Sequence, residues 1–401
     1  MRLAYISFEH PLGETGGGIG TYVDQIAAIM AARGHDVEVF TSAVASQYTT
    51  CRSKDYLIHQ VPSKNRGDFS HAVVPVFAAA NAQRRFDAME SAEYGADALV
   101  VKTNHRDIPL VVKLHTPHFL VRRLNFSIPS LFSRLRFMAG GLFRGHIPKP
   151  YWTETVKADE EKTIYNLADK VASPSLSLAQ IVGNEWGKRD IAILPNPYVP
   201  SAAMLNMAHQ PADGKCRVLF IGRLERRKGI YDLLSAIPEI LKKDAAILFS
   251  FAGADQPSDK KNISVKTLMS AQLRSFAQHI QFLGYVKQAA LHEILAHTDI
   301  CIFPSTWENF PNVCLESMAA GLPVIASRSG GMAEMITHEK DGLLISPGVP
   351  EEITAAILKL AQNRQRRNQL GEAARKTILE RYNATEIGAA AEKLFQQAMN
   401  G

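Results

Sequence analysis

Short apolar runs alternate with longer segments of helical period along the whole chain, and that rhythm leaves few folds open. Strands are expected at 2–8, 36–41, 56–61, 86–90, 109–115 and 170–173, and again at 217–222, 246–252, 280–283, 299–303, 322–326 and 342–346. A helix is expected from Gly18 to Arg33, and others at 230–242, 266–278, 287–297 and 312–320. Further helical segments follow near 351–361, 364–381 and 385–399. Strand and helix in alternation describe a parallel sheet with crossover helices, so the expected class is α/β, with two doubly wound units. At roughly 150 residues per domain, 401 residues accommodate two. The boundary is expected in Pro195-Asn-Pro-Tyr-Val-Pro-Ser201, whose prolines oppose regular structure. The domains are thus 1–198 and 199–384, with 385–401 rejoining the first and a cleft between the two.

With 46% hydrophobic and 21% charged residues the chain is neither disordered nor fibrous. Cys51, Cys216, Cys301 and Cys314 show no metal-ligand spacing and read as reduced thiols. Met1–Phe8 is too short an apolar stretch for a signal peptide, and no long uninterrupted apolar run follows, so a cytoplasmic location is expected.

Three motifs carry chemistry. Gly13-Glu-Thr-Gly-Gly-Gly-Ile-Gly20 follows the first strand and opens a helix, where backbone N–H groups and the helix dipole suit a phosphate. It does not complete a dinucleotide fingerprint, and strand two ends in Thr41-Ser42 without the ribose-binding acid. Alone, it also reads as a plain surface loop. Gly222-Arg-Leu-Glu-Arg-Arg-Lys-Gly229 sets cations at the carboxyl end of a strand, where Arg223 and Lys228 suit a diphosphate. A solvated basic turn is the competing reading, and Arg226 and Arg227 are assigned to it. In Pro304-Ser-Thr-Trp-Glu-Asn-Phe-Pro-Asn-Val-Cys-Leu-Glu316, Glu308 lies in a loop and Glu316 about one turn into the next helix. Both carboxylates can then accept hydrogen bonds from sugar or ribose hydroxyls, or act as acid and base.

Together with Ser317-Met-Ala-Ala-Gly-Leu-Pro-Val324, Ser329-Gly-Gly331 and Asp341-Gly-Leu-Leu344, these motifs resemble the family 4 glycosyltransferases of the GT-B fold. The resemblance spans nearly the whole chain. It implies two Rossmann-like domains facing across a cleft and transfer from a nucleotide sugar with retention at the anomeric carbon, without a bound metal or other cofactor. It implies that Glu316 holds the donor ribose, that Glu308 contacts sugar hydroxyls, and that Arg223 and Lys228 stabilise the leaving diphosphate. Gly17 and Gly18 would approach the same phosphates, and His115 would face the reacting carbon. Asn309, Phe310, Asn312 and Val313 complete the implied donor set. One departure concerns donor choice: Pro311 stands where many relatives have a glycine, and it has no N–H to give a sugar.

The formal charge is +6, yet residues 108–153 alone hold seven basic side chains (Lys113, Arg122, Arg123, Arg134, Arg136, Arg144, Lys149) and no acidic ones, leaving the rest at −1. Aromatic residues interleave with these bases, and Leu131, Leu135, Met138 and Leu142 share a face of a helix projected over 131–143. Such an element suits an anionic bilayer surface, peripheral at the inner face of the cell membrane, or an anionic soluble acceptor. The expected function is transfer of a hexose-type sugar to a glycan or lipid-linked acceptor, in bacterial surface-polysaccharide or glycolipid assembly. A soluble disaccharide synthase or phosphorylase of the same fold is the alternative. No nucleic-acid partner is expected, because no recognised binding motif accompanies the charge.

Overall fold

The computed structural model describes residues 1–13, 17–44, 47–53, 55–125, 136, 138–139, 156–207, 214–258 and 263–401. These residues form two sheets. The first is eight-stranded: β1 Arg2–Ile6, β2 Asp36–Ala43, β3 Thr49–Ser53, β4 Tyr56–Pro62, β5 Ala88–Ala92, β6 Leu110–Lys113, β7 Lys170–Ser173 and β8 Ile191–Ile193, in the order β3-β4-β2-β1-β5-β6-β7-β8. β1 lies parallel between β2 and β5, and only the β3–β4 pair is antiparallel among the registered pairs. The second is six-stranded: β9 Cys216–Ile221, β10 Ile247–Ala252, β11 Ile280–Gly284, β12 Ile300–Phe303, β13 Val324–Ser327 and β14 Leu343–Ile345, in the order β11-β10-β9-β12-β13-β14. Its registered pairs are all parallel. Central strands such as β12 and β13 are buried at every position, which is why they read as unbroken apolar runs.

The helix Ile230–Lys243 shows how sequence sets these elements. Ile230, Leu233, Leu234, Ile237, Ile240 and Leu241 recur at helical spacing and all are buried. Each such side chain contributes about 1.5–3 kcal/mol by leaving water. Asp232 in the first turn and Lys242 and Lys243 in the last oppose the helix dipole. The helix stops at Asp244, whose backbone is extended.

Two compact units divide the described chain: residues 1–20, 35–172 and 395–401 in one, 21–34 and 173–394 in the other. The stretch 173–198 falls in the second of these groups, although its strand β8, Ile191–Ile193, lies at the edge of the first sheet beside β7. Within the second unit, Glu334 accepts the Leu176 and Ser177 N–H groups, each at 2.8 Å, at the start of the helix Leu176–Trp186.

Two corrections concern local structure. The helix expected over 266–278 ends at Gln272 and continues as a tighter turn over Arg274–His279, with Phe276 outside helical geometry. Lys113, counted in the basic segment, is 1% exposed at the end of β6, so it adds nothing to surface charge. Arg122 and Arg123 lie on the helix His118–Asn125, with Arg123 5.5 Å above the Phe119 ring. Most of the projected helix over 131–143 lies outside the described residues. Among the described residues, no helix is long and apolar enough to cross a membrane.

Candidate functional site

In the second unit the site forms where β9 and β12 end. The turn after β9 reaches Gly229 in a left-handed conformation, φ 71°, and a Cβ there would lie 1.8 Å from the Pro304 carbonyl oxygen. This close approach brings the basic turn against the loop after β12. Thr306 locks the pair, donating its N–H (2.9 Å) and hydroxyl (3.2 Å) to the Arg227 carbonyl. On the loop's other side a Cβ on Gly330 or Gly331 would lie 2.0 Å from the Glu308 carbonyl oxygen or 1.6 Å from that of Asn309. The Gly331 N–H donates to the Glu308 carbonyl at 2.9 Å. The Ser-Gly-Gly motif is thus explained by the passage of the 305–311 loop across it.

That loop presents Glu308, 8% exposed, to two cations. Its Oε1 lies 2.5 Å from Lys228 Nζ and accepts from Arg227 Nη1 at 3.0 Å. Burial works against its charge, but Lys228, Arg227 and the Ser305 hydroxyl together hold its carboxyl below the ordinary carboxylate range. Arg227 Nη2 also donates to Glu225 Oε1 at 3.1 Å, and Arg223 Nη2 lies 3.2 Å from the same oxygen. Cations and carboxylates therefore alternate: Arg223, Glu225, Arg227, Glu308, Lys228. The Arg223 side chain is 54% exposed and Arg227's is 12%. Arg227 was assigned to solvent by sequence, and the structure corrects that; Arg226 is exposed and stacks 5.0 Å above Tyr231.

Glu316 lies in the helix Asn312–Ala319 and is 2% exposed. Burial and the charge of Glu316 together push the Tyr198 phenol up. The remaining implied donor residues divide. Asn309 Oδ1 accepts the Ser175 hydroxyl at 2.8 Å, Phe310 packs edge-on against Tyr382 at 5.4 Å, and Val313 packs against the core. Asn312 begins the helix after Pro311. Ser175 and Glu225 were missed by sequence reading; an acid inside a basic run was the available signal for the latter.

In the first unit, His115 follows β6, and its N–H donates to Glu93 Oε2 at 2.7 Å. Burial, then Lys113 and Arg66, push the imidazole down to about 3, so it is neutral at physiological pH. Burial and the nearby Glu161 push Glu93 up to about 8. Glu161 accepts the N–H groups of Gly95 (3.0 Å) and His118 (2.8 Å), shaping the segment that carries His115. A Cβ on Gly17 would lie 2.1 Å from Glu9 Oε2, whereas Gly18 faces open space. Arg66 ties Glu9 (2.7 Å) to Asp97 (3.1 Å) beneath this loop.

Residues 16–201 match Glycosyltransferase Family 4, and residues 206–377 match Glycosyl transferases group 1. Glycogen synthase of Mycobacterium tuberculosis is 23% identical over 410 aligned positions, covering 100% of this chain and 96% of that protein. Among solved structures, sucrose-phosphate synthase from Thermosynechococcus elongatus has TM-score 0.75 at 20% identity, over 100% of this chain and 99% of its own. Anabaena HepE in complex with UDP-glucose has TM-score 0.69 at 17% identity, over 99% and 100%.

Proposed function

Because the chain belongs to the family 4 glycosyltransferases and has their GT-B fold, we propose that it moves a hexose-type sugar, with retention, from a nucleotide sugar to a glycan or lipid-linked acceptor. The alternating network at the ends of β9 and β12 carries this reading. Breaking the bond to an anomeric carbon puts negative charge on the departing diphosphate, and fixed cations lower that barrier. Arg223 and Lys228 supply them, Glu308 orients sugar hydroxyls, and Glu316 takes the ribose. Charge neutralisation by these side chains gives the reaction no need of a metal, and transfer is expected to survive a chelator. His115, neutral, faces the sugar, and Gly18 offers the closer approach of the two loop glycines. No carboxylate is assigned as nucleophile; the leaving phosphate helps deprotonate the acceptor on the same face of the sugar. A covalent glycosyl adduct on a carboxylate would overturn that mechanism.

HepE binds UDP-glucose, which makes uridine diphosphate sugars the first donors to try. Hydrolysis and thermal-shift screening against UDP-, ADP- and GDP-linked hexoses should give stabilisation and slow turnover with at least one. No response to any of them would overturn the reading. We place the protein at the inner face of the cell membrane, in bacterial surface-polysaccharide or glycolipid assembly. Support for this comes from the basic run in the sequence of segment 108–153, in which Arg123 and Arg136 are exposed among the described residues. Co-sedimentation with anionic vesicles at low salt is expected, and its absence there would count against a lipid-linked acceptor.

A further inference from the structure

Glu308 is held from two sides, and the two holders are chemically unlike. Lys228 is a compact charge on a flexible stem, 17% exposed. Arg227 is a planar fork whose Nη1 and Nη2 end on different carboxylates, Glu308 and Glu225, while its carbonyl is fixed by Thr306. Its Nε is buried with no hydrogen-bond partner among the described residues, a cost not incurred by an arginine at a solvated turn. A diphosphate carries more charge than one carboxylate, so it draws Lys228 away from Glu308. Left alone, a carboxylate this deeply buried is expensive to keep ionised. The groups that face Glu308 are Arg227 and Lys228 on the turn, Ser305 on its own loop and the Cys314 thiol on the following helix. Of these, Arg227 alone remains as a cation once Lys228 has turned to phosphate.

We propose that Arg227 is the positioning residue that keeps Glu308 oriented and ionised toward the donor sugar, leaving Lys228 available to the diphosphate. This rests on the nucleotide-sugar reading above and adds a specificity-determining part to the same site. Arg227 touches the carboxylate and not the phosphate, and that distinction can be measured.

The test compares the wild type with Arg227→Met, Arg227→Lys and Glu308→Gln, using whichever nucleotide sugar the wild type turns over and the matching free nucleoside diphosphate. Arg227→Met should raise donor KM about tenfold and move the acidic limb of kcat/KM up by about one pH unit, with most activity regained above that limb. Arg227→Lys should restore most of the limb's position, and free diphosphate affinity should change less than about threefold. Loss of diphosphate binding in Arg227→Met would make Arg227 a phosphate ligand and overturn the proposal. So would an equal loss of activity at every pH, the mark of a merely structural role. A substrate-free arm separates this from failure of the functional reading. The stability gap between each background and its Glu308→Gln variant is full above the unfolded carboxylate pKa and is lost as pH falls through the depressed folded value. In the Arg227→Met background that gap should be smaller and its loss complete at higher pH, and an unchanged gap overturns the proposal whatever the protein binds. Absence of any nucleotide-sugar binding by the wild type would refute the donor role in both readings.

Discussion

Gly331→Ala isolates the placement of the Glu308 loop from its chemistry. Gly331 has φ −67° and ψ −20°, a conformation alanine adopts without strain. Its added Cβ, however, would sit 1.6 Å from the Asn309 carbonyl oxygen and 3.1 Å from Ser175 Cβ. An ordinary C···O contact is about 3.3 Å, so the loop must retreat by roughly 1.7 Å. Overpacking of that kind costs about 1–3 kcal/mol, which at about 2–4 °C per kcal/mol for a domain of this size lowers Tm measurably. The functional effect should be larger. A displacement near 1 Å at a reacting centre costs about 10²-fold, so kcat/KM for the nucleotide sugar should fall by about two orders of magnitude. Gly348→Ala is the matched control: its φ of 74° imposes about 1–2 kcal/mol of strain on alanine, but nothing lies within 4 Å of the added atom. Both variants should lose comparable stability, and only Gly331→Ala should lose activity. Transfer within threefold of wild type in Gly331→Ala would refute the claim that this contact sets the Glu308 loop.

Arg223→Ala should lower kcat about 10²-fold or more while leaving Tm unchanged, because its side chain is largely exposed; near-normal kcat would remove it from the reaction. Glu93 remains protonated in the folded protein up to about 8 but ionises near 4.5 when unfolded, so stability falls as pH rises between those values. Glu93→Gln can keep the acceptor for the His115 N–H, and denaturation at pH 5 and pH 8 should show it gaining on the wild type as pH rises. A loss over that interval would mean that Glu93 is ionised in the fold.

What the sequence made legible follows from which signals are local. Parallel strands buried on both faces announce themselves as apolar runs, and the doubly wound order follows from their alternation with helices. β3 carries no such signal: Thr49–Ser53 is polar and largely exposed at a sheet edge, and its only pattern is its pairing with β4. The helix Arg66–Gln83 was unread because Pro75 interrupts it, although Pro75 lies on the exposed side while Phe69, Val73, Phe77 and Ala80 fill the buried stripe. The removal of Lys113 from the surface charge depends on where β6 ends beside Glu90 and Glu93, and no local window contains that information.

The site was legible as a set of residue types and illegible as a set of pairs. Sequence assigned Arg223 and Lys228 to a phosphate and Glu308 to a sugar, as separate parts. In the fold they are joined through Glu225 and Arg227 into one chain of alternating charge, because Gly229 lets the turn approach Pro304. This joining has a chemical consequence. A cation meant for a diphosphate would otherwise repel its neighbours in the empty protein, whereas one seated on a carboxylate waits in place without that cost. The carboxylate it leaves must then have a second partner, or its burial would oppose the very step that releases the cation. Arg227 is the residue whose geometry meets that requirement, and the basic run that disguised it as solvated surface is the reason sequence alone passed over it.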